Sequence, residues 1–389
     1  MKMTTLRSKI QNLFFLMLCM IRFILFGKAD KKPASVRRVL IVPTGKLGDV
    51  VCTTPVFHAL RAALPHAEIV IEDTRGINAR LLENSGLVDR YIPFKSFFKT
   101  VRTIRSLHID TAFLTGPDFF ALACIYVAGV PFVVAPRVEG GYSPYETKPY
   151  KWLSRFIITT PFHMGAYAPR ERLRVLEPIG IHSEDTTKHL GYSEVAHQMV
   201  SALLRAHALQ EKHFAIISPG AGNKIKRWPS GRFAHVADHI FAVHHMPIVI
   251  IGTKVDREEV QAMRDALSPQ TSFIDTSEQL SIDELKALIA QAALFISVDT
   301  GPIYIAEAFG VPTIDIIGPI DEHEQPPIGS RNRVVAPRDR RRPELYVMNA
   351  REYNVEEARR QSESAIAEMV IDEVDDIFNL LNRDNDTRN

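Results

Sequence analysis

Residues 39–51 read "VLIVPTGKLGDVV". Four aliphatic β-formers, a Pro-Thr-Gly break, and a second glycine followed by Asp49 and further apolar residues spell strand, tight turn and helix start. If that order repeats, the chain builds βαβ units and a parallel sheet. It does repeat. Up to about Pro136 short apolar runs ("AEIVIED", "RYIPF", "DTAFLTG", "PFVVAP") alternate with helical patterns ("DVVCTTPVFHALRAAL", "NARLLENSG", "FFKTVRTIRSL", "FFALACIYVAG"). From Phe214 the alternation resumes, from "FAIISPGAG" through "PIVIIGT" and "LFISVDTG" to "VPTIDIIGP". The expectation is an α/β protein of two Rossmann-like parallel-sheet domains, with a ligand cleft between the C-terminal ends of their strands.

The length of 389 residues fits two such domains with material left over. The expected divisions are a hydrophobic membrane-associating segment at 1–34, a first domain at 35–190, a second at 191–345, and a C-terminal helix and tail at 346–389, the helix running from about Val355 to Leu381. Between the two alternating stretches, "EGGYSPYETKPYKW" reads as a long irregular loop and "RERLRVLEPIGI" as an amphipathic helix closed by Gly180. No internal repeat stands out in the sequence.

Apolar residues at 46% and charged residues at 24% are those of an ordinary globular protein, which sets disorder, collagen and coiled coil aside. Cys19, Cys52 and Cys124 show no paired spacing, so disulfides and a zinc site are not expected. The net charge of +2 hides an uneven spread. Lys and Arg dominate residues 1–38, where Asp30 is the sole acid, and they flank the apolar run "LFFLMLCMIRFILF" (Leu13 to Phe26). As a helix that run is about 21 Å long at ~1.5 Å per residue, short of a hydrocarbon core of roughly 30 Å. A monotopic or interfacial anchor fits better than a short span or a plain helix packed on the body, and the charged "GKADKKPAS" argues against signal-peptide cleavage. The basic end points to a membrane surface and not to nucleic acid, since no aromatics interleave it as stacking platforms.

Three loops carry chemistry. In the first, a phosphate-binding P-loop would need four residues between its first glycine and a Gly-Lys-Ser/Thr end, and a dinucleotide fingerprint would need three glycines. Gly45 and Gly48 satisfy neither. What survives is a glycine turn that admits a ligand close to the backbone and Asp49, either a helix cap or a base, with Pro55 in the first two turns of the helix that follows. In the second, "SPGAGNKIKRWP" (Ser218 to Pro229), small residues with Lys224, Lys226 and Arg227 suit a phosphate cradle or a solvated basic loop. In the third, Asp299-Thr300-Gly301-Pro302 follows a strand and starts a helix, so it offers free N–H groups and a positive dipole end, or simply caps.

Together, "RRVLIVPTGKLGDVVCTTPVFHALRAALPHAEI", "PGAGNKIKRWPSGRFAHVADHI" and "ISVDTGPIYIAEAFGVPTIDIIGP" resemble glycosyltransferase family 9, the bacterial ADP-heptose:lipopolysaccharide heptosyltransferases, over roughly Arg37 to Pro319. The resemblance implies the two-Rossmann GT-B fold and inverting transfer of a heptose or related sugar from a nucleotide-diphosphate sugar to a lipopolysaccharide-core type acceptor. In its terms Asp49 is the general base. Lys226 contacts phosphate in those terms, and Asp299, Thr300 and Gly301 line the diphosphate. From their own chemistry Gly220, Gly222, Asn223 and Tyr304 join the donor side, Gly45 and Gly48 leave room for an acceptor, and Lys95 and Lys99, in the basic and aromatic "KSFFKTVRTIR", lie on the acceptor side or on a solvated helix face. Tyr304 stands where the family commonly has histidine, and a tyrosine hydroxyl is uncharged near neutral pH. The nucleotide-sugar is a substrate, so no cofactor is expected. With no Asp-x-Asp at a strand end, neither is a bound Mn²⁺ or Mg²⁺. The expected partners are the nucleotide-sugar, a lipid-linked glycan acceptor and the cytoplasmic face of the inner membrane, with no nucleic acid. The competing readings are a same-fold enzyme using another nucleotide-sugar for a different surface glycan, and a catalytically silent nucleotide-binding scaffold. A Rossmann oxidoreductase is disfavoured by the missing third glycine.

Overall fold

Val39, Leu40, Ile41 and Val42 are buried in succession, the pattern of a strand covered on both faces. That strand, β1 (Arg38–Val42), is central in the first of two six-stranded sheets. The structure, a computed structural model, describes residues 2–43, 45–74, 76–337 and 355–386, so the boundary expected at 345/346 lies outside the described residues. The chain divides into two units, Met1–His189 and Leu190–Asn389.

In the first unit α1 (Lys2–Phe26) precedes β1, α2 (Leu47–Val51), α3 (Thr54–Ala63), β2 (Glu68–Glu72), α4 (Ile77–Leu82), β3 (Arg90–Ile92), α5 (Phe97–Ser106), β4 (Thr111–Leu114), α6 (Phe119–Ala128), β5 (Phe132–Glu139), α7 (Lys148–Leu153), β6 (Ile158–His163) and α8 (Ala168–Leu173). The strands run in the order β3-β2-β1-β4-β5-β6, every ladder parallel, with Leu40 between Val70 and Ala112.

The second unit holds α9 (Glu194–Ala206), β7 (Ala215–Ser218), α10 (Ser230–His244), β8 (Ile248–Ile250), α11 (Arg257–Ala266), β9 (Phe273–Asp275), α12 (Ile282–Ala290), β10 (Leu294–Val298), α13 (Gly301–Ala308), β11 (Thr313–Ile316), β12 (Asn332–Val335), α14 (Val355–Ser364) and α15 (Ala367–Asp386). Its order, β9-β8-β7-β10-β11-β12, is that of the first sheet counted from each unit's own first strand, again all parallel. The repeat absent from the sequence is present in the topology. Parallel sheets with helices on both faces are the GT-B expectation met.

The edges differ from expectation. β6 and β12 are strands that the apolar runs do not announce, and each closes one edge of its sheet. "ITTPFH" and "NRVV" are short and mostly half-buried, so they lack the continuous apolar signature of central strands. The helix expected from Asp49 onward breaks in two, because Thr53 Oγ1 donates to the Asp49 carbonyl, Thr54 Oγ1 donates to that of Val51, and Pro55, with no N–H, opens α3. "RERLRVLEPIGI" is helical in α8 only and tightens into a 3₁₀ turn around Pro178, closed by Gly180 at φ 88°.

The C-terminal helix also becomes two. At the break the Ala365 carbonyl accepts from Trp228 Nε1 at 2.8 Å and from Arg232 at 2.6 Å, while Ser362 Oγ donates to the Ile225 carbonyl. The chain's last helices therefore brace the loop that carries Lys226. They are anchored by Val370, Val374, Ile377 and Phe378, all buried against α10 and the second sheet. Ile377→Ala is expected to cost about 2–5 kcal/mol, the range for truncating a buried aliphatic; a urea titration of the second unit reads it.

Candidate active site

In the first unit the loop after β1 turns through Gly45 at φ 119°, a conformation that side chains rarely adopt. A methyl group on Gly45 would lie 2.2 Å from Asp49 Oδ2. The glycine is thus required twice, by its backbone and by the carboxylate folded against it. Asp49 sits in the first turn of α2, where its Oδ2 accepts the Lys46 N–H at 2.8 Å. Its other oxygen accepts from Arg172 at 2.9 Å, and a second Arg172 nitrogen reaches the Asp49 carbonyl, also at 2.9 Å. Arg172 comes from α8, 123 residues on, and its side chain is 8% exposed against 34% for Asp49. A buried guanidinium fork thus fixes a carboxylate that still faces solvent. Such an arrangement can orient a proton acceptor.

In the second unit β7 and β10 are adjacent and parallel, which sets the loops after them side by side. Lys226 Nζ pairs there with the Asp299 carboxylate, and the Tyr304 hydroxyl donates to the other oxygen of the same carboxylate. Next to them on β11, Asp315 is buried. Burial first, and then the charge of Asp299, push its carboxyl well above the ordinary 3.8, and its Oδ1 has no hydrogen-bond partner among the described residues. α13 begins at Gly301-Pro302, behind an extended Thr300 whose buried Oγ1 likewise has no partner among the described residues. A lysine, a helix N-terminus and a donor-capable hydroxyl converge on one loop pair, which is the chemistry of an anion site.

The family description glycosyltransferase family 9 (heptosyltransferase) matches residues 171–352. The resemblance to that family holds. Lipopolysaccharide heptosyltransferase 3 of Escherichia coli K12 is 25% identical over 289 residues, spanning 70% of this chain and 80% of the relative. Among solved structures, ADP-heptose lipopolysaccharide heptosyltransferase II of E. coli superposes with a TM-score of 0.68 at 18% identity, over 89% of this chain and 99% of that one. A glycosyltransferase family 9 protein of Veillonella parvula gives 0.67 at 21% identity, over 79% and 87%. The chain is a glycosyltransferase of GT-B architecture.

Within this glycosyltransferase the residues expected on the donor side are sorted by their contacts. Lys226, Asp299 and Tyr304 form one hydrogen-bonded group, with Thr300 and Gly301 at the helix start beside it. Gly222 has open space where a side chain would be, and Asn223 caps the turn that carries Lys226 by accepting the Ile225 N–H. A methyl on Gly220 would meet the Asp256 carboxylate, which caps its own turn by accepting from Thr253 N–H and Oγ1. Of the two other cations in the loop, Arg227 pairs with Glu259 of α11 and Lys224 faces solvent. On the acceptor side Gly48 is buried in α2, whereas Lys95 and Lys99 lie on the exposed face of α5 and its approach.

Arg172 escaped the sequence reading. It stands in "RERLRV", where arginine and glutamate alternate as on any solvated helix, and nothing local marks the one that turns inward. Among the described residues three groups have metal-ligand side chains close together, His58–Asp185–His189, His239–His244–Asp375 and Asp321–Glu322–His323, and none involves Asp49 or Lys226.

Asp315 yields a pH prediction. Its folded value lies above its unfolded one, so the stability linked to the neutral acid is full below about pH 4 and lost as pH rises through the folded value. Asp315→Asn should remove that loss, raising the thermal midpoint of the second unit at neutral pH and flattening its pH dependence.

Proposed function

We propose that this glycosyltransferase moves a heptose or related sugar, with inversion, from a nucleotide-diphosphate sugar to a lipopolysaccharide-core type acceptor, with ADP-heptose as the donor. The observation that carries the reading is the Asp49–Arg172 fork. A sugar hydroxyl attacks only as its proton is taken, and Asp49 is the carboxylate held in fixed orientation and yet open to solvent. The donor relies on the other unit. A departing nucleoside diphosphate gathers negative charge, which Lys226, the Gly220–Asn223 loop and the start of α13 would stabilise. In the free protein Lys226 is engaged by Asp299, so the arriving diphosphate exchanges with that carboxylate as partner of the lysine.

Transfer in this scheme uses fixed amides and a lysine and needs no divalent ion. The reading of the donor as ADP-heptose draws on the solved E. coli relative, whose name states that substrate. The acceptor is lipid-linked, and the enzyme works at the cytoplasmic face of the inner membrane, held there peripherally or monotopically. One observation favours a second donor: Tyr304, in place of a histidine, spends its hydroxyl on Asp299, which changes what the site offers a sugar. On that reading the enzyme keeps the fold and uses another nucleotide-sugar for a different surface glycan.

Thermal shift with ADP, UDP and GDP separates these readings. ADP at ~100 times its dissociation constant should stabilise the protein by about 2.7 kcal/mol, UDP and GDP should do less, and Lys226→Ala should abolish the shift. A larger UDP or GDP shift would select the second donor class. Asp49→Asn is expected to lower turnover by about 10²–10⁴-fold with the ADP shift unchanged. Turnover near wild type would remove Asp49 from the base role, and loss of transfer after chelation with EDTA would overturn the metal-free scheme. No sugar release from any donor would leave the silent scaffold.

A further inference from the structure

α1 lies along the first unit. Phe15 and Cys19 are buried, Phe23 packs against the same core, and the Phe15 ring stacks on Phe97 of α5 with centroids 4.1 Å apart. Positions 12, 15, 16, 19, 22 and 23 form this inner face, at the i, i+3, i+4, i+7 spacing of one helix side. Arg22, the single charge in the apolar run, is on it. Its guanidinium lies 4.1 Å from the Tyr126 ring centroid and donates to the Gly27 carbonyl at 2.7 Å, which Tyr126 OH also reaches at 2.8 Å. Directly after the helix, Ala29 N–H donates to the Phe156 carbonyl, and the Ala29 carbonyl accepts from Val133 at the start of β5. The helix is latched at its exit and along one side.

Its opposite face is apolar and open. Leu13 is 68% exposed, Ile24 73% and Leu25 66%, with Met17 and Met20 between them. The ridge continues onto α5, where Phe98, 61% exposed, meets Phe14 edge-on at 6.2 Å. On α5 and its approach, Lys95, Phe98, Lys99 and Arg102 share the exposed side at the same helical spacing, and Lys28, Lys31 and Lys32 are exposed beyond the other end of α1. An apolar ridge flanked by cations at both ends matches the boundary of an anionic lipid surface, with acyl chains under the ridge and phosphates under the lysines.

We propose that α1 and α5 together form one in-plane docking face for an anionic bilayer, α1 lying in the interface with Arg22 kept inside the protein. This rests on the membrane reading made above and adds its geometry: a spanning α1 would have to leave its core contacts and carry Arg22 into hydrocarbon. It also gives the basic-aromatic helix α5 a lipid-facing role beside any contact with acceptor.

Full-length protein is floated with phosphatidylethanolamine/phosphatidylglycerol vesicles and with phosphatidylcholine vesicles. Flotation is expected with the anionic vesicles and at least tenfold weaker binding with phosphatidylcholine; the double variant Phe98→Asp/Arg102→Glu should lose at least tenfold of the anionic binding while keeping the wild-type thermal midpoint. Single cysteines at Ile10, Met17 and Ile24, labelled with a fluorophore while the three native cysteines are buried, should be quenched to equal depth by brominated lipids. Graded depths along the helix would mean a span and overturn the in-plane mode. Undiminished flotation of the double variant would overturn the shared face while leaving membrane association standing. If the wild-type protein floats with neither vesicle, or the ridge is covered by a second copy in sedimentation, the membrane reading and this proposal both fall.

Discussion

Every ladder in the two described sheets is parallel, and that constraint organises the rest. A parallel ladder returns each strand to the same edge through a crossover, so all the loops that follow strands emerge on one side of the sheet. In the second unit this sets the loop after β7 beside the loop after β10, which is why Lys226 meets Asp299 across 73 residues of sequence. In the first it lets the segment beyond β6 return an arginine to the loop after β1. The price is burial of both sheet faces, visible in the unbroken burial of β1 from Val39 onward and of β7 and β10 along their whole length.

Glycine acts at both sites by what it lacks. Gly45 leaves the volume that the Asp49 carboxylate occupies, and Gly220 leaves the volume that Asp256 occupies. Read from the sequence, such glycines admit a ligand to the backbone; in the structure each first admits a carboxylate that caps its own turn. One of those carboxylates stays partly exposed and gripped by a guanidinium, and the other is buried. The same device serves an oriented side chain in one unit and a rigid loop in the other.

The central strands, the order of elements and the three loops were legible because their signals are local: apolar runs of strand length, glycine turns, proline at helix starts. The edge strands β6 and β12 were not, since half-buried edges lack a continuous apolar run. The breaks in the helices at Thr53 and Ala365 were hidden too. One is made by hydroxyls bonding back to carbonyls, the other by Trp228 and Arg232 drawing on a carbonyl more than 130 residues away.

The sequence by itself determined the architecture, two parallel α/β units with an apolar basic-flanked helix ahead of them, because hydrophobic period and turn chemistry act over a few residues. It also singled out Asp49, Lys226 and Asp299. Only the tertiary structure decided what each of them touches. That Arg172 and no neighbouring arginine grips Asp49, that Asp299 holds Lys226 in the free protein, and that Arg22 is folded inward while the rest of α1 presents an apolar ridge are outcomes of packing between distant segments, for which no local pattern in the chain carries a signal.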